Sequence, residues 1–536
     1  MGRVKRYRNL LAIALLFAAA IRLRAAEPIE LVPAPLADYQ VERLPTFQNP
    51  EALKGQVAMG LATAEPDSLD RPLPINLATA LRLSDARPLV IAAAQASATV
   101  AAAQLDRANV LWVPSLNLGA YYYRHDGGAQ VVQTGNMASN SRQEFIGGGG
   151  LTATFATTDA IYEPLSARQV LQSRQMDIQA ARNDALLAVA NAYFSVQEAR
   201  GRYTGMLDTV ERARKLSDQV HALSRGLTPP VEVDRVRTLL AEVEQQTTIA
   251  QRDWRVSSAN LTRLLRLDPR SVIVPLEQDH LQVSIIRPEQ PIDELIPVGL
   301  TNRPELASQQ ALVQATIARL KQERMRPLIP SILLTGNNTP GDYFMGGVYG
   351  DGPNGALNQW ASRSDVSLQF LWQLENLGLG NRARIRERAG QQHQAIIELF
   401  TVQDRVAAEV AQAHAVLIAA AQRTVQAEMG LKEALISYEG NTKGLRQTIR
   451  FGDVLQLVNR PQEVVSALMQ LEQAYSLYFG TVADYNRAQF GLYHALGYPA
   501  QTIACVRPLG ETVPVDTSRP CPLPPVCGAQ PCMHCR

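Results

Sequence analysis

Apolar positions along this chain change rhythm twice, and both times in the same order. From Ile75 to about Val110 the sequence is Ala-rich with helical spacing, apart from a break near Pro88. From Ser115 the period falls to two. Leu116, Leu118, Ala120 and Tyr122 alternate with Asn117, Gly119, Tyr121 and Tyr123, which predicts a strand over about 115–125. A polar, Gly-rich loop is expected from His125 to Gly150. A second strand is expected over about 148–157, where Leu151, Ala153 and Phe155 alternate with Thr152 and Thr154. A very long helix then runs from Asp159 to Arg225, with Pro164 as its one early turn signal. Ala192, Val196, Ala199, Tyr203, Met206, Val210 and Ala213 follow steps of four and three, a heptad seam of small residues.

The second half repeats this plan. Arg87-Pro88 recurs as Arg303-Pro304, and Pro114-Ser115 as Pro330-Ser331, both 216 residues later with no gap between them. Strands are expected over about 331–336 and 364–372, separated by a Gly/Asn/Pro loop, and a long helix from about Arg382 to Gly444. An offset of this length marks a duplicated domain-sized unit and not a solenoid. The chain divides into a 1–26 signal peptide, a 27–73 Pro-containing extension, a first repeat over 74–270, a linker over 271–291, a second repeat over 292–499 and a Pro/Cys-rich tail over 500–536.

Both long helices are expected to end in tight reversals far from the strands. In the first, Gly226 suits a left-handed C-cap and Pro229-Pro230 opens the next helix. In the second, Gly452 suits a helix end and Asp453 the next N-cap. Leu227 and Phe451 are expected to be exposed there, which suggests a docking surface.

The first residues change the setting. Arg3, Lys5, Arg6 and Arg8 precede an apolar run from Leu10 to Ile21, too short to span a bilayer as a helix but suited to export. Cleavage is expected near Ala25-Ala26 or after Ala20, with no nearby Cys for a lipid anchor. No later run of 18 apolar residues is evident, so membrane entry would have to be as a β-barrel. Strands of about ten residues with one apolar face fit that role, with aromatics such as Tyr121, Tyr123 and Trp372 near the interfaces. Four strands cannot close a barrel, so the chain must assemble with copies of itself.

Charge excludes one class of partner. Lys+Arg number 52 against 50 Asp+Glu, a net charge of +2, so nothing points to nucleic acid. All five cysteines, Cys505, Cys521, Cys527, Cys532 and Cys535, lie in the tail. One reading is tail disulfides with one thiol left over. The other is a soft-metal site on Cys532, His534 and Cys535. There is no HExxH, phosphate loop or GxSxG elbow, and no cofactor site is expected.

The duplicated halves, the paired Pro-Ser strand starts, the long helices and the Gly-bearing tips together resemble the outer-membrane efflux proteins of the TolC family. Ala483-Asp484-Tyr485-Asn486-Arg487-Ala488-Gln489, with Leu492 and Ala495-Leu496-Gly497, is similar to that family's last helix. The resemblance covers about residues 74–499. It implies a mainly α protein with a membrane β-barrel: a homotrimer with a 12-stranded barrel, four strands per chain, above a periplasmic α-barrel. It also implies a periplasmic adaptor and an inner-membrane pump as partners, with outer-membrane lipid around the strands. The tips, here Gly226, Leu227, Thr228, Phe451 and Gly452, would meet the adaptor and open like an iris. At the aperture the family's acidic pair corresponds to Asp453 and Gln456, so one carboxylate is replaced, and Glu232 holds the comparable place in the first tip. Passage would be passive, and the chain is not expected to be an enzyme. Two other readings compete: a periplasmic coiled-coil scaffold without a pore, and a metal-handling channel using the Cys-rich tail.

Overall fold

The computed structural model describes residues 61–498, apart from 69, 87, 131–132, 336–344, 353–355 and 452–453. The signal segment, most of the N-terminal extension and the Cys-bearing tail lie outside the described residues.

Each half begins with two helices, α1 (Leu77–Ala86) and α2 (Leu89–Asn109), then α5 (Ile292–Asn302) and α6 (Pro304–Met325). The repeated Arg-Pro pairs mark the start of the second helix of each pair: Pro88 is the extended N-cap of α2, and Pro304 is the first residue of α6, where proline's fixed φ suits the turn. The repeated Pro-Ser pairs mark strand starts: β2 (Ser115–Gln130) and β5 (Ser331–Thr335). β2 runs antiparallel to β3 (Met137–Phe155) in unbroken register from Ser115 opposite Thr152 to Gln130 opposite Met137. Much of the expected 125–150 loop is therefore strand. The outer part is polar on both faces and shows no alternation, yet its ladder is complete and its side chains bond across it. Ser141 donates to Asp126 at 2.5 Å, and Tyr122 to Gln143 at 3.2 Å.

The second loop is likewise partly strand, with β6 (Gly346–Asp351), β7 (Gln359–Ser364) and β8 (Ser367–Leu371). Ala153 of β3 faces Leu334 of β5. Gly149, four residues earlier, faces Gly346 of β6, twelve residues later. β5 and β6 thus continue one another along β3, with eight extra residues between them. β8 and β7 pair with β5 and β6 across the same step. The sheet is in effect four long strands with two open edges, β2 on one side and β7–β8 on the other.

The strands feed two helices of 67 residues, α3 (Thr157–Leu223) and α7 (Leu379–Leu445), each about 100 Å long. Pro164 is accommodated near the start of α3. Shorter helices α4 (Pro230–Leu265) and α8 (Pro461–Ala495) return from the tips. Near the strands α3 packs between α2 and α6; farther down it packs between α4 and α8, with α7 beyond. The result is one layer of helices with two open edges, like the sheet above it. The heptad seam is at its centre, with Val196, Ala199, Met206, Val210 and Ala213 buried. Gly201 and Gly205 of α3 admit the rings of Phe479 and Tyr475 from α8; a Cβ on Gly201 would come within 2.4 Å of the Phe479 ring.

The expected linker is a clamp. β1 (Arg71–Ile75) pairs in parallel with β4 (Ser271–Pro275). The following segment is held to α3 by buried Arg200, which donates to the carbonyls of Pro275 and Glu277 and pairs with Asp279. Tyr193 donates to Glu277 and to the Ile75 carbonyl. Burial raises the Asp279 carboxyl above its usual range despite Arg200, and burial together with Glu277 drives the Tyr193 hydroxyl up. The Asn486 and Gln489 side chains are fully buried. They bond the backbone of residues 281–286, which gives the Tyr485-Asn486-Arg487-Ala488-Gln489 run a structural reason. One departure concerns hydropathy. Leu77–Trp112 contains an 18-residue stretch with a mean hydropathy of 1.4, apolar enough to pass for a membrane span. Its apolarity comes largely from alanine, and it is two helices, the second packed on α3.

Candidate functional site at the helix tips

The two tips share a core but turn differently. That core joins Val210, Leu216 and Val220 of α3, Val236 of α4, Leu431 and Leu445 of α7, and Leu468 and Leu471 of α8. At the first tip the Leu223 carbonyl accepts the N–H groups of Gly226, Leu227 and Thr228 at 2.9–3.4 Å. Gly226 does not adopt a left-handed φ, contrary to expectation, because this shared carbonyl closes the turn in ordinary backbone conformations. Pro230 opens α4 as expected. Leu227 is exposed, whereas Thr228 is buried with its hydroxyl unpartnered. Glu232 lies in the first turn of α4, where the helix dipole favours an acid. Its side chain is largely buried; one oxygen takes Arg235 at 2.7 Å and the other has no partner.

The second tip corrects the capping expectation. α7 ends at Leu445 and α8 starts at Pro461 with Arg460 as its N-cap. Between them β9 (Thr448–Phe451) pairs with β10 (Val454–Leu457), so the helix boundaries lie away from Gly452 and Asp453 in the sequence. Those two residues, and the Phe451 side chain, lie outside what the structure describes. Gln456 is exposed and faces Ile449 across the ladder. Ile449, Leu455 and Val458 are exposed as well. The base of this hairpin is fixed by Asn459, which donates to the Asn441 side chain at 2.8 Å and packs against Gly444. Cys532, His534 and Cys535 lie outside the described residues. Among the described residues no three His, Cys, Asp or Glu side chains cluster as metal ligands.

Two features here were not legible in the sequence. Asp208 of α3 accepts Arg212 at 2.6 Å and the Tyr475 hydroxyl of α8 at 2.9 Å, while the Arg212 guanidinium lies 5.0 Å from the centre of the Tyr438 ring of α7. Burial, then Asp208, pushes the Tyr475 hydroxyl well above its ordinary range. This group ties the first hairpin to the second. A surface groove of about 410 Å³ also runs between α4 and α8, lined by Val231, Asp234, Arg235, Glu242 and Met469.

At the opposite end, Leu116, Leu118, Leu368 and Phe370 expose one apolar face of the sheet. Trp112 and Phe155 pair at its helix-proximal rim, with ring centroids 6.3 Å apart. Phe145, paired with Trp360, sits ten residues up β3. Ten tilted residues rise about 25 Å, the height of a membrane barrel's apolar band.

Residues 81–265 match the family described as outer membrane efflux protein. No curated protein sequence matches the chain. Among solved structures, the outer-membrane channel OprN is similar with a TM-score of 0.63 at 17% identity, over 78% of this chain and 89% of that one. The outer membrane protein VceC of Vibrio cholerae gives 0.60 at 14% identity, over 78% and 96%. The CmeC outer membrane channel of Campylobacter jejuni gives 0.61 at 14% identity, over 80% and 88%. The first repeat thus matches the outer membrane efflux protein family over residues 81–265, and the chain shares the fold of these channels along most of its length.

Proposed function

We propose that three copies of this chain form the exit duct of a tripartite efflux system, with a periplasmic adaptor and an inner-membrane pump as partners. The observation that carries this reading is the pair of matching open edges. A sheet of four strands and a wall of helices are both left unclosed in one chain, and a membrane barrel tolerates no open edge. Three copies supply twelve strands, enough to leave a channel. The exposed apolar sheet face disfavours a soluble scaffold.

In this reading the tips form the periplasmic aperture. Gly226, Leu227, Phe451, Gly452 and the groove between α4 and α8 meet the adaptor. Asp453, with Glu232 farther in, supplies the acidic groups near the opening, and Gln456 leaves the second position neutral. Asp208, Arg212 and Tyr475 hold the second hairpin against the first, so opening requires this group to part. Single-channel recording in planar bilayers tests the proposal. Stepwise conductance at nanomolar protein is expected; silence with correctly assembled protein would contradict it.

A further inference from the structure

The strand-proximal ends of three helices carry a repeated arrangement that the duct itself does not require. A groove of about 760 Å³ runs beneath the sheet and touches four helices at once, through Arg107 of α2, Asp159 of α3, Glu323 of α6 and Arg388 of α7. In the proposed tube this hollow, shared by four neighbouring helices, is assigned to the side that faces the lumen. Residues about half a helical turn out of phase with the groove residues therefore face outward.

Those outward positions follow one order. On α3 they are Ile161, Leu165 and then Arg168. On α6, read away from the strands, they are Leu328 just past the helix end, then Arg324 and Lys321. At α7 they are Leu377, then Arg382 and Arg386. All are exposed. Leucine or isoleucine is nearest the strands and cations lie deeper, within about three turns. Leu377 is 97% exposed, and it is held there by strain: Asn376 and Leu377 both adopt left-handed φ values of 49° and 58°. Such non-glycine conformations each cost on the order of 1–3 kcal/mol and persist only where the surroundings impose them. Here Glu375 is fixed by the Asn381 side chain and by Arg384.

The charges point the same way. Arg168, Lys321, Arg324, Arg382 and Arg386 have no ion-pair or hydrogen-bond partner among the described residues. The acids of these turns are placed elsewhere. Asp159, Glu163 and Glu323 line the inner groove, and Glu375 and Glu387 bond Arg384 and Gln391. Arg382 also opposes the dipole of α7, whose first turn holds no acid. Five unpaired, exposed cations beside exposed leucines call for an anionic and apolar neighbour.

We propose that this outer collar seats on the periplasmic leaflet and binds the phosphate headgroups of anionic phospholipids. The surface continues without interruption from the lipid-facing Leu368, Phe370 and Trp372. Ile161, Leu165, Leu328 and Leu377 enter the boundary of the acyl chains, and the five cations reach the phosphate layer. The inference rests on the membrane-channel reading.

The test uses the full protein in vesicles of brominated phosphatidylglycerol or brominated phosphatidylcholine. Both lipids quench Trp112 and Trp372 at the rim. The relative binding constant should favour phosphatidylglycerol by about fivefold, the equivalent of roughly 1 kcal/mol for a cation near the surface. It should fall toward one in the variant R168Q/K321Q/R324Q/R382Q/R386Q, and also in the unchanged protein at 1 M salt, where screening is nearly complete. Strong quenching with a ratio of one in the unchanged protein would overturn the collar alone, as would a preference that survives both the variant and the salt. No quenching by either lipid would overturn the membrane reading and the collar with it.

Discussion

The two helix tips descend from one duplicated unit, yet they are built in opposite ways. The first turns within six residues on a single shared carbonyl and buries its acid, Glu232, against Arg235. The second spends fifteen residues between α7 and α8 on a small β-hairpin. That hairpin leaves Ile449, Leu455 and Gln456 exposed. Compact turns resist displacement, whereas a two-stranded ribbon has marginal stability of its own. The difference supports a proposal in which the second tip moves against the first, with the Asp208–Tyr475 bond as the tie between them.

The largest effect should come from the base of the second hairpin. A Cβ at position 444 would meet the Asn459 side chain at 2.6 Å, while a Cβ at 226 meets nothing within 4 Å. Gly444→Ala should therefore lower stability by roughly 1–3 kcal/mol. Gly226→Ala should leave the thermal transition unchanged, as followed by circular dichroism. Equal transitions for the two variants would break the comparison.

Next comes the tie. Asp208→Asn removes the carboxylate that holds both Arg212 and the Tyr475 hydroxyl, at a cost of roughly 1–3 kcal/mol. Single-channel conductance should rise, because the second hairpin is released from the first. Tyr475→Phe should raise it less, since Arg212 stays paired. Conductance unchanged in both variants would show that the tie does not restrain the aperture.

A smaller effect separates the two acids. Asp453→Asn should reduce the preference for cations, measured as a reversal potential in a salt gradient. Glu232→Gln should barely change it, because Arg235 already balances that charge. The reverse order would reassign the aperture charge to the first tip.

The smallest concerns Glu472 on α8. Burial first, and Glu242 second, raise its carboxyl above the usual range. An acid with a raised folded pKa destabilises the fold when ionised. That penalty is full above the folded pKa and fades as pH falls through it. Glu472→Gln should thus raise Tm slightly at pH 7, with the gain lost on acidification. A gain independent of pH would exclude the charge as its cause.

Much of the architecture was legible in the sequence because helices and membrane strands impose different periods on apolar residues. The Pro-Ser pairs located both strand starts, and the Arg-Pro pairs lie at the start of the second helix of each half. What was missed has physical reasons. The outer parts of β2 and β3 are held by a hydrogen-bond ladder, which leaves no trace in an apolar pattern. β1 and β4 are five-residue strands about 200 positions apart in the chain. Gly452-Asp453 suits both a helix boundary and a hairpin turn, and only the short runs beside it distinguish the two. The candidate site was read less well than the fold. Glu232 and Leu227 were found at the first tip, but the Asp208–Tyr475 bond joins residues 267 positions apart. No local motif announces such a contact.

The central claim is that copies of this chain close each other's open edges. Electron microscopy of the protein extracted from membranes in detergent tests it most directly. The account predicts a hollow cylinder with a three-fold axis, longer than the roughly 100 Å of its helices, with a detergent belt around one end. Single chains that stay in solution without detergent, with no belt and no three-fold axis, would contradict it.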